Sequence, residues 1–234
     1  MYIELNKIYN VDCLEGLKLL EDESVDLIIT SPPYNLGKTH HTNTNRFKAY
    51  KDYDDNMPEE LYQKWQTEIL NECYRVLKKD GSMWYNHKNR IRDGKQIEPY
   101  RWIYNTPFVI KQEVVWQNGS HNFDKIRFYP TTERVYWLAK DPKTKMFNEI
   151  SHNDFFNAGE WKPMRTSGAF KRAYPEKMVE DIISCFPDSK VILDPFSGSG
   201  TTCYVAKKMK KDYIGFEITK DYCEIAEERI KNFA

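Results

Sequence analysis

Residues 191–202 read VILDPFSGSGTT: an apolar run closed by an acid, a loop with glycines at 198 and 200, and two threonines where a helix would begin. A short, continuous apolar run bounded by a turn is the pattern of a strand buried on both faces. Glycine lets the backbone turn tightly and come close to a ligand, and open α/β sheets bind ligands at the carboxyl ends of their strands. The loop lacks the G-K-[ST] ending of a phosphate-binding P-loop and the G-x-G-x-x-G of a dinucleotide fold. An acid at the strand end suits a cationic or hydroxylated ligand better than a pyrophosphate.

The next strand pattern, residues 213–217 (YIGFE), also ends in an acid, Glu217, where a carboxylate can hold two ribose hydroxyls. Asp194 and Glu217 on neighbouring strands therefore specify an adenosine-bearing ligand. The helix start at Gly200, Thr201 and Thr202 offers N–H groups to any carboxylate that the ligand carries.

Outward from this stretch, strand and helix patterns alternate. Strands are read at residues 7–11, 25–30, 82–86, 108–116, 134–139, 191–193 and 213–216, and helices at 14–20, 58–77, 175–185, from about 201, and at 220–230. Gly81 reads as the stop signal of the 58–77 helix. Alternation of this kind predicts an α/β fold: an open, largely parallel, Rossmann-like sheet with helices on both faces. No linker or repeat divides the 234 residues, so a single domain spanning 1–234 is expected. Within it, residues 141–173 show weak periodicity and read as a small recognition insertion, and residues 35–56 as a mobile loop.

The chain is 40% hydrophobic and carries zero net charge, and it has neither a long apolar segment nor a leader pattern at its start, which reads as cytoplasmic. Its five cysteines form no C-x-x-C pair and read as reduced thiols on buried faces, so neither a zinc site nor a disulfide framework is expected, and the chemistry below requires no metal. Neutral net charge leaves any polyanionic partner to local patches. Residues 38–51 (KTHHTNTNRFKAYK) and 161–174 (WKPMRTSGAFKRAY) carry bases, aromatics and amide or hydroxyl groups without a single acid. That mixture contacts phosphates and stacks on bases. Lys38, Arg46, Lys48, Trp161, Lys162, Arg165, Lys171 and Arg172 are the candidate DNA-binding residues, with Trp161 the tryptophan suited to stacking.

The strand VDLIIT at 25–30 runs into Ser31, Pro32, Pro33 and Tyr34. An exocyclic base amine is a poor nucleophile because its lone pair is conjugated with the ring. Acceptors aimed at its hydrogens favour a pyramidal nitrogen and stabilise the transition state. The Ser31 hydroxyl and the Pro32 carbonyl can serve as those acceptors, the two prolines fix the backbone, and Tyr34 can stack on a flipped base. His40 and His41 lie close by but read as a solvated pair.

Together the two loops resemble the amino-methyltransferases of DNA, in which [DNS]-P-P-[YFW] follows one strand and D-P-F-x-G-S-G-T another. The order, with 31–34 first and 194–201 last, resembles the β class. Residues 10–13 (NVDC), 75–86 (RVLKKDGSMWYN), 132–140 (TERVYWLAK) and 174–178 (YPEKM) resemble further family segments. The resemblance implies S-adenosylmethionine as cofactor. Asp12 and Cys13 would lie at its adenine, Asp194 would accept from its ammonium, and Pro195, Phe196, Ser197, Gly198, Ser199, Gly200, Thr201, Thr202 and Glu217 would complete the site. It also implies double-stranded DNA as substrate, a restriction-modification setting with a cognate endonuclease, and a homodimer as the form many members take. Ser31 leans towards N4 of cytosine, with N6 of adenine as the alternative. Methylation at C5 of cytosine needs a cysteine, usually after proline, and no Pro-Cys occurs. RNA or protein amino-methyltransferases fit less well, because their cofactor motif comes first; an inactive binding partner conflicts with two intact loops.

Overall fold

The computed structural model describes residues 3–36, 55–119, 126–146, 153–162 and 173–233. The first half runs β1 (Lys7–Asn10), α1 (Cys13–Lys18), β2 (Val25–Thr30), α2 (Glu59–Val76), β3 (Leu77–His87), β4 (Arg90–Arg92), β5 (Lys95–Ile97) and α3 (Tyr100–Ile103). The second half runs β6 (Val109–Gln117), β7 (Thr132–Ala139), β8 (Phe155–Phe156), α4 (Glu176–Ser184), β9 (Val191–Asp194), α5 (Thr201–Lys208), β10 (Asp212–Glu217) and α6 (Lys220–Lys231). Eight strands form one sheet in the order β1-β10-β9-β2-β3-β7-β6-β8. The five from β1 to β3 are mutually parallel, while β7 is antiparallel to both β3 and β6.

Alternation along the strands sends side chains to two separate cores. Leu27 and Ile29 of β2 join Met178 and Ile182 of α4, Ala206 of α5 and Ile230 of α6. Val25 and Ile28 face the other way, onto Leu17 of α1, Ile69 and Cys73 of α2 and Trp102 of α3. Each face of a doubly covered sheet must bury apolar side chains, which is why Leu27–Ile29 of β2 and Val191–Leu193 of β9 are apolar at successive positions. All five cysteines are buried and free among these core residues. No helix of the described residues is long and apolar enough to cross a membrane.

Helix α2 ends at Val76, and the chain passes directly into β3. Gly81 therefore sits inside a strand and is not the helix stop that its position suggested. A Cβ there would lie 2.8 Å from the Leu77 side chain and 2.9 Å from the Asp26 carbonyl, so close packing at a register shift between β2 and β3 is what demands glycine. The β4–β5 hairpin, with Asp93 and Gly94 both at positive φ, is an Asp-Gly turn that the strand reading passed over.

The carboxyl ends of β1, β10, β9, β2 and β3 share one edge of the sheet. Because β7 runs the opposite way, its first residues arrive at that same edge, with His87 paired to Arg134 and Asn86 to Val135.

Candidate active site

The two loops marked in the sequence meet at this edge. Asp194 closes β9 and is completely buried. Its Oδ1 accepts from the Thr30 hydroxyl at 2.7 Å and from Phe196 N–H at 3.0 Å, and its Oδ2 accepts from the Tyr174 hydroxyl at 2.8 Å. Burial pushes its carboxyl above the ordinary range, with these donors pulling the other way. These three donors occupy most of the acceptor capacity of the carboxylate. Asp194 thereby ties the residue before the 31–34 loop to the first turn of the glycine loop.

Thr201 and Thr202 are buried too. Thr202 bonds Tyr174 and donates to the Ile29 carbonyl at 3.2 Å, while Thr201 Oγ1 accepts from Arg229 of α6 at 3.2 Å. Gly200, at φ 73°, caps α5 in a left-handed conformation, and a Cβ there would lie 2.8 Å from Ala226 Cβ. Gly198, at φ 50°, differs: a Cβ would meet nothing nearer than the Phe196 carbonyl at 3.9 Å.

Glu217 at the end of β10 is partly exposed. Its Oε2 accepts from Gly198 N–H at 2.9 Å and its Oε1 from Thr219 N–H at 2.8 Å. Burial raises its carboxyl above the usual value, opposed by those two N–H groups. Each oxygen keeps a lone pair for a hydroxyl. Asp12 caps α1 through Oδ1, accepting from Leu14 N–H at 2.9 Å, whereas Cys13 turns into the core, where burial raises its thiol. Phe196 and Trp65 of α2 meet edge to face at 5.7 Å. Trp65 is a site neighbour that the helical pattern hid. Pro195 is buried, Ser199 is partly exposed, and the buried Ser197 hydroxyl has no hydrogen-bond partner among the described residues. Open space above Gly198, a carboxylate with acceptor capacity and an aromatic wall fit a nucleoside-bearing cofactor.

The loop at 31–34 is held from below and from both sides. His87 is fully buried, and burial, with the Arg90 charge second, pushes its pKa well below the ordinary value. Its Nδ1 lies 2.9 Å from both the N–H and the carbonyl of Lys88, and its Nε2 shares a hydrogen bond with the Tyr62 hydroxyl at 2.7 Å. Tyr62 in turn donates to the Pro33 carbonyl at 2.7 Å. The Pro33 carbonyl is thus committed to the protein, while no described donor reaches the Pro32 carbonyl. Asn35, at φ 53°, exchanges two hydrogen bonds with Met57, and its N–H donates to Asp55 at 2.6 Å, which fixes the loop exit.

At the mouth, Ser31 Oγ lies 2.7 Å from the Tyr34 hydroxyl, which donates to Glu133 Oε2 at 2.9 Å. Asn86 Nδ2 donates to Tyr34 at 2.9 Å and to Glu133 at 3.0 Å. The Tyr34 ring rests 4.6 Å from His87, tilted by 41°.

Trp161 is 2% exposed, and its ring stacks on Phe156 at 3.7 Å while its indole N–H donates to Asp181 at 2.9 Å. A ring so enclosed cannot stack on a base, and that expectation is corrected. Residues 153–162 of the expected recognition segment lie against the sheet edge, with β8 paired to β6. Lys162 is exposed. Lys38, Arg46, Lys48, Arg165, Lys171 and Arg172, and most of the 35–56 segment, lie outside the described residues.

Residues 25–228 match a family model described as DNA methylase, the N6/N4 methyltransferases. The type II methyltransferase M.BglII of Bacillus subtilis is 32% identical over 257 residues, covering 95% of this chain and 68% of that protein. Among solved structures, the PvuII DNA methyltransferase, cytosine-N4-specific, superposes with a TM-score of 0.76 at 21% identity, over 100% of this chain and 89% of that one. A DNA modification methylase from Thermus thermophilus, complexed with S-adenosyl-L-methionine, superposes with a TM-score of 0.68 at 18% identity, over 96% of this chain and 92% of that one.

Proposed function

The chain belongs to the N6/N4 DNA methylase family, and we propose that it transfers the methyl group of S-adenosylmethionine to the exocyclic amine of a base flipped from double-stranded DNA, N4 of cytosine being the target. The observation that carries this reading is the junction of the two loops, where Thr30 and Asp194 bond at 2.7 Å and so hold the Ser31 acceptor beside the cofactor cradle.

When bound, S-adenosylmethionine supplies an electrophilic methyl on sulfur. Glu217 would hold its ribose, Phe196 and Trp65 would flank it, and the loop at Gly198 would let its backbone approach closely. Ser31 Oγ and the Pro32 carbonyl would accept from the amine, and the bonds from Tyr62 to Pro33 and from Asn35 to Met57 keep both acceptors in place. Such preorganisation costs nothing at the moment of reaction. Ser31, in place of the acid or amide of other members, supports cytosine over adenine. The basic stretches at 38–51 and 162–172 are proposed to run along the DNA backbone, residues 141–173 to contribute to target recognition, and 35–56 to act as a mobile loop. A cognate endonuclease and a homodimer belong to the same proposal.

The test pairs transfer with binding. In the Ser31→Ala variant, turnover on duplex DNA falls on the order of 100-fold, as for loss of one preorganised group at the reacting atoms, while calorimetric affinity for S-adenosylmethionine holds. Unchanged turnover would remove Ser31 from the reaction.

A further inference from the structure

Neither loop motif contains Glu133, yet it forms the base of the hydrogen-bond chain at Ser31. It lies at the second position of β7, which enters the active edge because it runs antiparallel to β3. Besides Tyr34 and Asn86 on Oε2, its Oε1 accepts from Asn118 Nδ2 at 2.8 Å.

This chain has a direction. An ionised carboxylate only accepts hydrogen bonds, and a hydroxyl has one proton to give. Tyr34 gives its proton to Glu133, and Asn86 donates to the Tyr34 oxygen. The 2.7 Å bond between Ser31 and Tyr34 must then be donated by Ser31. With its only proton turned towards Tyr34, and Asn86 Nδ2 a further donor to it at 3.4 Å, Ser31 presents a lone pair and no donor to a substrate. Asn86 keeps the same sense, since its amide oxygen would be repelled by the carboxylate that its Nδ2 contacts at 3.0 Å.

We propose that Glu133 is a positioning residue that fixes Ser31 as an acceptor and takes, through Tyr34 and Ser31, the proton that leaves the substrate amine, an inference that rests on the methyl-transfer reading above. The bond formed is nitrogen to methyl, and the bond broken is methyl to the donor's sulfur, which keeps the electron pair and becomes a neutral thioether. The amine proton passes to Ser31 Oγ, the Ser31 proton to Tyr34, and the Tyr34 proton to Glu133 Oε2. Both hydroxyls end as they began, the methylated amine is neutral, and the carboxylate ends protonated. Burial, with the Glu133 charge second, holds the Tyr34 phenol well above its ordinary pKa, which suits a group that hands on a proton without standing ionised.

Among the described residues, the Tyr34 ring that meets Glu133 also contacts His87 and lies 6.0 Å from Lys88 Nζ, and Arg134, next to Glu133 in β7, is paired at 3.0 Å with Glu113 of β6. The experiment measures single-turnover transfer to duplex DNA, with equilibrium affinities for S-adenosylmethionine and DNA, in wild type, Glu133→Gln, Tyr34→Phe and the double variant. Glutamine keeps the shape of the acceptor and cannot take the proton; phenylalanine keeps the ring and cuts the chain. Each single change is expected to lower the rate on the order of 100-fold, the scale of general acid–base assistance, with both affinities intact. The double variant is no slower than either single one. A wild-type rate in either single variant, or losses that add in the double variant, would overturn the relay and leave methyl transfer standing. Wild-type protein that methylates no base would overturn both.

Discussion

Thr30 and Asp194 are 164 positions apart and share a 2.7 Å hydrogen bond with no access to solvent for the acid and almost none for the threonine. The bond makes the catalytic loop and the cofactor loop one rigid unit, because Thr30 ends β2 and Asp194 ends the adjacent β9. Removing the carboxylate leaves the Thr30 hydroxyl and the Phe196 N–H without their acceptor, while the Tyr174 hydroxyl keeps Thr202. At about 1–3 kcal/mol for each buried donor left unpaired, Asp194→Ala is expected to lose roughly 3 kcal/mol or more of stability. Denaturant unfolding measures this; an unchanged midpoint with only weaker cofactor binding would reduce Asp194 to the direct ammonium contact that the sequence suggested.

The two glycines of the loop should separate. Gly200→Ala combines a left-handed φ with a Cβ 2.8 Å from Ala226, and is expected to lower stability by roughly 2–4 kcal/mol. Gly198→Ala meets open space and incurs only the backbone term of about 1–2 kcal/mol, yet its methyl intrudes on the cradle. Thermal melts and calorimetry should therefore find Gly200→Ala mainly a folding defect and Gly198→Ala mainly a cofactor defect. Equal melting losses would show that the space above Gly198 is not what the packing indicates.

His87 gives the fold an acid sensitivity. Its folded pKa lies below the ordinary 6.5, so below that pH the unfolded chain takes up a proton that the buried ring refuses. Its contribution is fully present above 6.5 and is lost as pH falls towards the folded value, at about 1.4 kcal/mol per unit of separation. The difference in unfolding free energy between wild type and His87→Gln should narrow on acidification from 6.5. A difference that stays constant with pH would mean the ring titrates alike in the folded and unfolded chain.

Neutralising Arg165, Lys171 and Arg172 with glutamine should flatten the dependence of DNA affinity on salt. Each lost phosphate contact reduces the slope of log K against log salt by about 0.9, so three give roughly 2.7. An unchanged slope would place the DNA elsewhere.

Strands β2, β9 and β10 were legible in the sequence because doubly buried parallel strands have little choice but to be apolar throughout and to stop at proline, glycine or an acid. The meeting of Ser31–Tyr34 with the glycine loop followed from both occupying carboxyl ends of such strands. What the sequence hid depends on register. Glu133 comes within 2.9 Å of Tyr34 only because β7 pairs antiparallel with β3, and no local pattern marks that. Asp194 stands at a ligand position of open sheets, but its bonds to Tyr174 and Thr30, neither of them a sequence neighbour, were not legible. Trp65 sits within an amphipathic helix pattern that absorbs aromatics into the core face, and Trp161 sits within a basic stretch that disguised a core residue. Gly81 failed as a helix stop because glycine also marks close strand approach.

The most direct measurement incubates the protein with methyl-labelled S-adenosylmethionine and mixed-sequence duplex DNA, digests the DNA to nucleosides and identifies the labelled one by mass spectrometry. Label in N4-methylcytosine is the predicted result. Label in N6-methyladenine would keep the amine chemistry and overturn the reading of Ser31. Label in neither would contradict the claim that this edge of the sheet methylates an exocyclic amine of DNA.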